Sequence, residues 1–186
     1  MTIATKTLFQ PLTIAAAPEA SKPILENIQK AFGFIPNLMA TFANSPAVLQ
    51  GYLALDGAFE KGTFTPVERQ VILLAASEEN SCAYCSAAHA TIAKNFLHAP
   101  AETIAAIRDG KPLADQKLNA LVNLVREIVR KRGFASPETV DAFLAVGYQK
   151  PQVMELLLGV ALKTVSNYLD HLSPATIDQA FAAEAR

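Results

Sequence analysis

Hydroxyl–proline pairs and isolated glycines divide this chain into segments, and within them apolar residues return every three or four positions. Ser45-Pro46, Thr65-Pro66 and Ser136-Pro137 each set a capping hydroxyl before Pro at the first helical position, where its missing N–H costs nothing. Ser21-Lys22-Pro23 is the same signal with one residue interposed. Gly33, Gly62, Gly110, Gly133 and Gly147 follow the ends of periodic runs, as helix stops do. The pattern predicts helices from Lys22 to Phe32, over a short segment Leu38–Phe42, from Pro46 to about Lys61 and from Pro66 to about Glu78. Further helices are expected from the cysteines to about Leu97, over 101–109, from about Asp115 to Arg132, from Pro137 to about Val146, and after Pro151, with a last short segment after Ser173-Pro174. No run shows the period of two of a strand, so the expected class is all-α. Two segments read as apolar on every side and hence buried: Val71–Ala76, and the long helix after Pro151.

The 186 residues suffice for one domain, read as residues 20–186 behind an N-terminal arm, 1–19. Gly62-Thr63-Phe64-Thr65-Pro66-Val67-Glu68 resembles Gly133-Phe134-Ala135-Ser136-Pro137-Glu138, which suggests two related helical units. Apolar residues make up 51% and the net charge is −1. The densest basic cluster, Arg126, Arg130, Lys131 and Arg132, suits a solvated helix end, so nucleic acid is not an expected partner. No apolar run approaches the ~20 residues of a membrane span, and the N-terminal stretch broken by Pro11 argues against a signal peptide. A thiol pair without further cysteines suits a reduced, cytoplasmic protein.

The chemistry concentrates in Glu78-Glu79-Asn80-Ser81-Cys82-Ala83-Tyr84-Cys85-Ser86-Ala87-Ala88-His89. Residues three and four apart share a helix face, so Cys82, Cys85 and His89 line one side. Asn80 and Ser81 are the expected caps, which would put both thiols in the first turn. There the free N–H groups favour a thiolate. Structural zinc would want a second Cys pair or a Cys₂His₂ spacing, and covalent haem would want His at position 86, which is Ser. A thioredoxin-like site would need strands around it. The bland alternative is a pair of buried core cysteines. His98 is expected to be exposed, and Asn167 and His171 to brace helices or line the site.

Cys82-Ala83-Tyr84-Cys85 with His89, after an apolar helix, resembles the AhpD-like proteins of the carboxymuconolactone decarboxylase superfamily. The likeness covers roughly residues 30–172, with Phe34-Ile35-Pro36-Asn37 upstream and Asn167–His171 downstream. It implies an all-α fold, a homo-oligomer such as a trimer or hexamer, and reduction of hydroperoxides by thiols. It also implies a reversible Cys82–Cys85 disulfide, proton transfer helped by His89, and no cofactor or metal. One departure stands out. Family members carry a relay Glu twelve residues before the first Cys, and this chain has Gln70, whose amide carries no proton away. Glu79 is the nearest carboxylate that could substitute, ahead of Glu68. Tyr84 stands where some members have His.

The expected function is therefore a thiol peroxidase serving antioxidant defence, acting on a hydroperoxide and recycled by a thiol or dithiol reductant protein. Spacing leaves either sulfur open as the attacker and leans to Cys85, with His89 one turn on as its base. The alternatives are a lactone decarboxylase of the same superfamily, which needs no dithiol, and a non-catalytic redox-sensing oligomer.

Overall fold

A computed structural model describes residues 8–186. It forms α1 (Lys22–Phe32), α2 (Asn37–Phe42), α3 (Pro46–Glu60), α4 (Pro66–Glu79) and α5 (Ala83–Thr91). There follow α6 (Ala101–Arg108), α7 (Gln116–Arg130), α8 (Pro137–Ala145) and α9 (Lys150–Leu172). A π-helical turn, Ile92–Phe96, extends α5, and a 3₁₀ segment, Gln179–Glu184, closes the chain. No strand forms among the described residues.

Helix α4 is the axis of the molecule. Every residue from Val71 to Ser77 is buried, and α5, α6, α7 and α9 all pack on it. Its start is fixed by a capping box: Glu68 N–H donates to Thr65 Oγ1 (3.2 Å) and Thr65 N–H to Glu68 Oε2 (2.8 Å). Tyr148 Oη (2.8 Å) and Lys117 (3.1 Å) also reach the Glu68 carboxylate. The two links that resemble each other in sequence sit alike, each between a 15-residue helix and a Pro-started one: α3 to α4, and α7 to α8.

Helix α9 departs from the expectation of all-round burial. One face, with Leu156, Gly159, Leu162, Lys163, Ser166, Asn167 and Asp170, is buried. The opposite face exposes Met154, Leu157, Ala161, Val165, Tyr168 and Leu172. The apolar residues looked continuous in sequence because the inner face is itself half polar. At Gly159 the crossing is so close that an added Cβ would lie 2.8 Å from Ile72 of α4 and 2.9 Å from Phe59 of α3.

The N-terminal arm, where described, is tied down: Phe9 N–H donates to Ser173 Oγ (3.0 Å), and Leu12 N–H to Ala40 O (3.1 Å). Its first seven residues lie outside the described part. At the other end the 3₁₀ segment returns to α5. Phe181 is buried against Tyr84 and Phe34, Tyr84 donates to Asp178 Oδ2 (2.5 Å), and Glu184 pairs with Lys94 and Arg108.

Candidate active site

The turn between α4 and α5 decides where the thiols stand. Asn80 and Ser81 do not cap α5. Asn80 ends α4, its amide bonded to Asn167 Oδ1 of α9 (3.0 Å), and Ser81 takes a left-handed φ of 58° that reverses the chain. Cys82 is therefore the N-cap itself, its sulfur accepting from Cys85 N–H at 3.3 Å. An Asx-type residue was the obvious cap by propensity, but the short reversal consumes both candidates. The result puts both sulfurs at the N-terminus of α5, buried and free of a disulfide.

The two sulfurs face different groups. Cys82 donates to Asp170 Oδ2 at 3.4 Å, on the side away from the cavity. Cys85 lies 3.8 Å from Ser166 Oγ and lines a cavity of about 300 Å³. Phe32, Leu38, Met39, Leu53, Tyr84 and Phe181 give that cavity apolar walls, with Tyr52, Gln70, His89 and Lys163 grouped among them and Asp56 and Glu60 also on the lining.

This asymmetry separates the acidities. The adjoining Cys82 side chain first, then the Lys163 charge and Ser166, offset burial and lower the Cys85 thiol to about 6. The Cys82 thiol is pushed up, first by its pairing with the Cys85 side chain, then by burial and by the charges of Cys85 and Asp170. Cys85 is thus the sulfur that ionises.

His89 is brought to the cavity as expected, but its ring is already engaged. Lys163 Nζ stands 2.8 Å from Nε2, and Gln70 Oε1 stands 2.9 Å from Nδ1. An ammonium only donates, so Nε2 accepts and Nδ1 carries the hydrogen that Gln70 receives. Burial, then the neighbouring Lys163 charge, hold the His89 pKa well below its ordinary value. Gln70 accordingly meets His89, whereas Glu79 does not come to the thiols. Its carboxylate is held by Arg130 (2.5 Å) and Arg126 (3.4 Å) of α7. Glu68 serves the capping box. His98 is exposed, Asn167 braces α9 to Asn80 and Ser77, and exposed His171 stacks on Tyr168.

Lys163, Ser166 and Asp170 were not read as site residues. With Asn167 they sit at positions 163, 166, 167 and 170, a polar stripe at helical spacing inside an otherwise apolar helix. That period was the available signal. Among the described residues, no group of three or more His, Cys, Asp or Glu side chains is arranged to hold a metal ion, and no helix is long and apolar enough to cross a membrane.

A model of the carboxymuconolactone decarboxylase family matches residues 46–127, which contain Gln70, Glu79, Cys82, Cys85 and His89. The fold is similar to that of the alkylhydroperoxidase AhpD core of an uncharacterized peroxidase-related protein from Ralstonia eutropha JMP134. That likeness has TM-score 0.83 at 20% identity and covers 94% of both chains. It is also similar to the debrominase Bmp8 (TM-score 0.80, 18% identity, 97% of both chains), solved as well in complex with 2,3,4-tribromopyrrole. A peroxidase-related protein from Silicibacter sp. TM1040 gives TM-score 0.79 at 15% identity over 97% of both chains. No curated protein sequence matches the chain significantly.

Proposed function

We propose, from the match to the carboxymuconolactone decarboxylase family model and the AhpD-like fold, that this protein is a dithiol peroxidase whose Cys85 attacks a hydroperoxide. One observation carries this reading. The thiol of lowered pKa opens onto an apolar cavity, while its partner thiol waits behind it at the same helix N-terminus. The Cys85 thiolate attacks the terminal peroxide oxygen; S–O forms, O–O breaks and an alkoxide leaves. Cys82 then attacks the Cys85 sulfenic acid, forming the disulfide and releasing water. A separate dithiol protein returns the pair to thiols, which suits a reducing compartment such as the cytoplasm.

The test is consumption of cumene hydroperoxide with dithiothreitol as reductant, alongside thiol titration. We expect turnover, loss of two thiols per chain on oxidation, and no turnover in Cys85→Ser. Unchanged thiols after excess peroxide would overturn the reading.

A second reading draws support from the aromatic wall of Phe32, Tyr52, Tyr84 and Phe181 and from the likeness to a debrominase. The same dithiol could reduce a halogenated aromatic, giving the dehalogenated ring, hydrogen halide and the Cys82–Cys85 disulfide. Halide release from a bromopyrrole, without peroxide consumption, would favour it. Carbon dioxide release from a lactone by a Cys82→Ser, Cys85→Ser variant would instead favour a decarboxylase.

We further infer a homo-oligomer, trimer or hexamer, from the exposed apolar stripe of α9, whose residues are spaced three and four apart as in helix–helix seams.

A further inference from the structure

A thiol peroxidase must hold one sulfur as thiolate, protonate a departing alkoxide and take a proton from the resolving thiol. The residues first expected to do this are poorly placed for it. Gln70 cannot carry a proton, Glu79 is held by two arginines of α7, and His89 is pinned at both nitrogens. Its Nε2 lone pair, the basic site of a neutral imidazole, already receives Lys163. Helix α9 instead brings two ionisable groups to the dithiol, seven residues apart and hence on one face.

The first is Lys163. Lys163 is 1% exposed and lines the same cavity as Cys85, and among the described residues its ammonium reaches His89 Nε2 and, at 3.5 Å, Tyr52 Oη. Among the described residues, no carboxylate forms an ion pair with it. A buried ammonium without an anionic partner is costly, and the Cys85 thiolate is the anion this site can supply. Ser166, one turn along α9, stands beside Cys85 and fixes the register that brings the two together. The second group is Asp170. Also buried, it accepts the Cys82 thiol through Oδ2, while Oδ1 accepts Ala175 N–H at 2.9 Å.

We propose that α9 runs the proton transfers of this site: Lys163 pairs with the Cys85 thiolate and protonates the leaving alkoxide, Asp170 takes the Cys82 proton during disulfide closure, and neutral His89 positions Lys163. The proposal rests on the dithiol peroxidase reading for its catalytic steps. They balance as follows. Cys85–S⁻ takes OH from ROOH, giving Cys85–SOH and RO⁻; the Lys163 ammonium converts RO⁻ to ROH and becomes an amine. Cys82–SH passes its proton to Asp170 and attacks the Cys85 sulfur. The S–O bond breaks, and the departing hydroxide takes the proton from Asp170 as water. Lys163 regains its proton from solvent through the cavity.

The other ionisable groups around the Cys85–Lys163 pair are Tyr52, Asp56 and Glu60 from α3, Cys82, Tyr84 and His89 at α5 and Asp170 of α9; α4 contributes the uncharged Gln70. Among the α3 groups, burial and then the Glu60 charge push the Asp56 carboxyl up, and burial pushes the Tyr52 phenol up; Tyr52 Oη is the α3 atom within reach of Lys163, and among the described residues neither Asp56 nor Glu60 forms an ion pair with it.

The first measurement is the pH dependence of iodoacetamide alkylation at Cys85, resolved by mass spectrometry, which needs no peroxidase activity. Lys163→Met is expected to slow alkylation at pH 6.5 by about tenfold, since loss of the paired charge moves a thiol pKa by a unit or more. Lys163→Arg should restore most of it. His89→Gln, whose amide oxygen can still accept from Lys163, should shift the profile less than Lys163→Met does. The second measurement is dimedone capture after one equivalent of cumene hydroperoxide. Asp170→Asn, nearly isosteric, should form the Cys85 sulfenic acid at the wild-type rate and close the disulfide about tenfold more slowly, so the adduct accumulates. Thermal melts identify any variant that is unfolded, and Lys163→Arg and His89→Gln then decide the Lys163 role. If His89→Gln shifts the Cys85 profile and Lys163 variants do not, or if Asp170→Asn closes its disulfide at the normal rate, the proposal is overturned. A wild-type protein that forms no sulfenic acid at all defeats the peroxidase reading instead, while the alkylation profile still decides the pairing of Lys163 with Cys85.

Discussion

At the scale of single residues, the site works by giving two like side chains unlike neighbours. Cys85 lies beside Ser166 and in the field of the Lys163 charge, and Cys82 donates to Asp170, so the Cys85 thiol is lowered and the Cys82 thiol raised. Because the thiolate is the reactive form, the rate of peroxide reaction is expected to rise with pH through about 6 and level off above it. Stopped-flow oxidation between pH 5 and 9 checks this; a rise centred near the ordinary thiol range of about 8.5 would contradict it. Glu79→Gln should lower the melting temperature and leave that rate unchanged, because its carboxylate binds Arg126 and Arg130 and not a sulfur. Sequence spacing singled out Cys82, Cys85 and His89, while Gln70 entered through the family resemblance, and the fold sets its amide 2.9 Å from His89 Nδ1. Spacing misplaced Glu79 because three residues along the chain cross a reversal at Ser81, after which nearness in sequence no longer means nearness in space.

At the scale of elements, the helices were legible because each has its own start and stop chemistry. Ser45, Thr65 and Ser136 all cap as their Pro neighbours suggested. What pattern alone could not give was which side of α9 turns inward. Its buried face mixes Leu156 and Leu162 with Lys163, Ser166, Asn167 and Asp170, so apolarity did not mark the interior. The crossing of α9 over α3 and α4 fixes that orientation, and Gly159 permits it. Gly159→Ala should destabilise the fold by about 1–3 kcal/mol, as overpacking does, because Phe59 and Ile72 stand where the new methyl must go. Urea unfolding would show a lower midpoint with an unchanged slope; an unchanged midpoint would mean that the helices separate freely.

At the scale of the whole molecule, the outer stripe of α9 runs from Met154 to Leu172, about 27 Å of helix at 1.5 Å per residue. A row of Met154, Leu157, Val165, Tyr168 and Leu172 that long is more apolar surface than a monomer ordinarily leaves in water. Light scattering is expected to give a multiple of 19.9 kDa, and Leu157→Lys with Val165→Lys to reduce it toward the single-chain mass. A wild-type monomer at micromolar concentration would contradict the inferred assembly. Composition hinted at such a surplus, but only the fold separates the stripe from the core, since α4 and α9 look equally apolar in sequence.

The short tail after α9 gives the cavity a wall held partly by charge. Phe181 closes one side, and the segment bearing it is fastened through Glu184 to Lys94 and Arg108 and through Arg186 to Asp109. Such pairs weaken as the screening length falls from about 8 Å at physiological salt to about 3 Å at 1 M. Access to Cys85 is thus expected to be a size filter that salt loosens. A bulky maleimide should label Cys85 faster in 1 M sodium chloride than in dilute buffer, while small iodoacetamide changes little. Equal acceleration of both reagents would place the change at the sulfur, and no acceleration of either would mean that Phe181 and the Tyr84–Asp178 hydrogen bond hold the tail without help from charge.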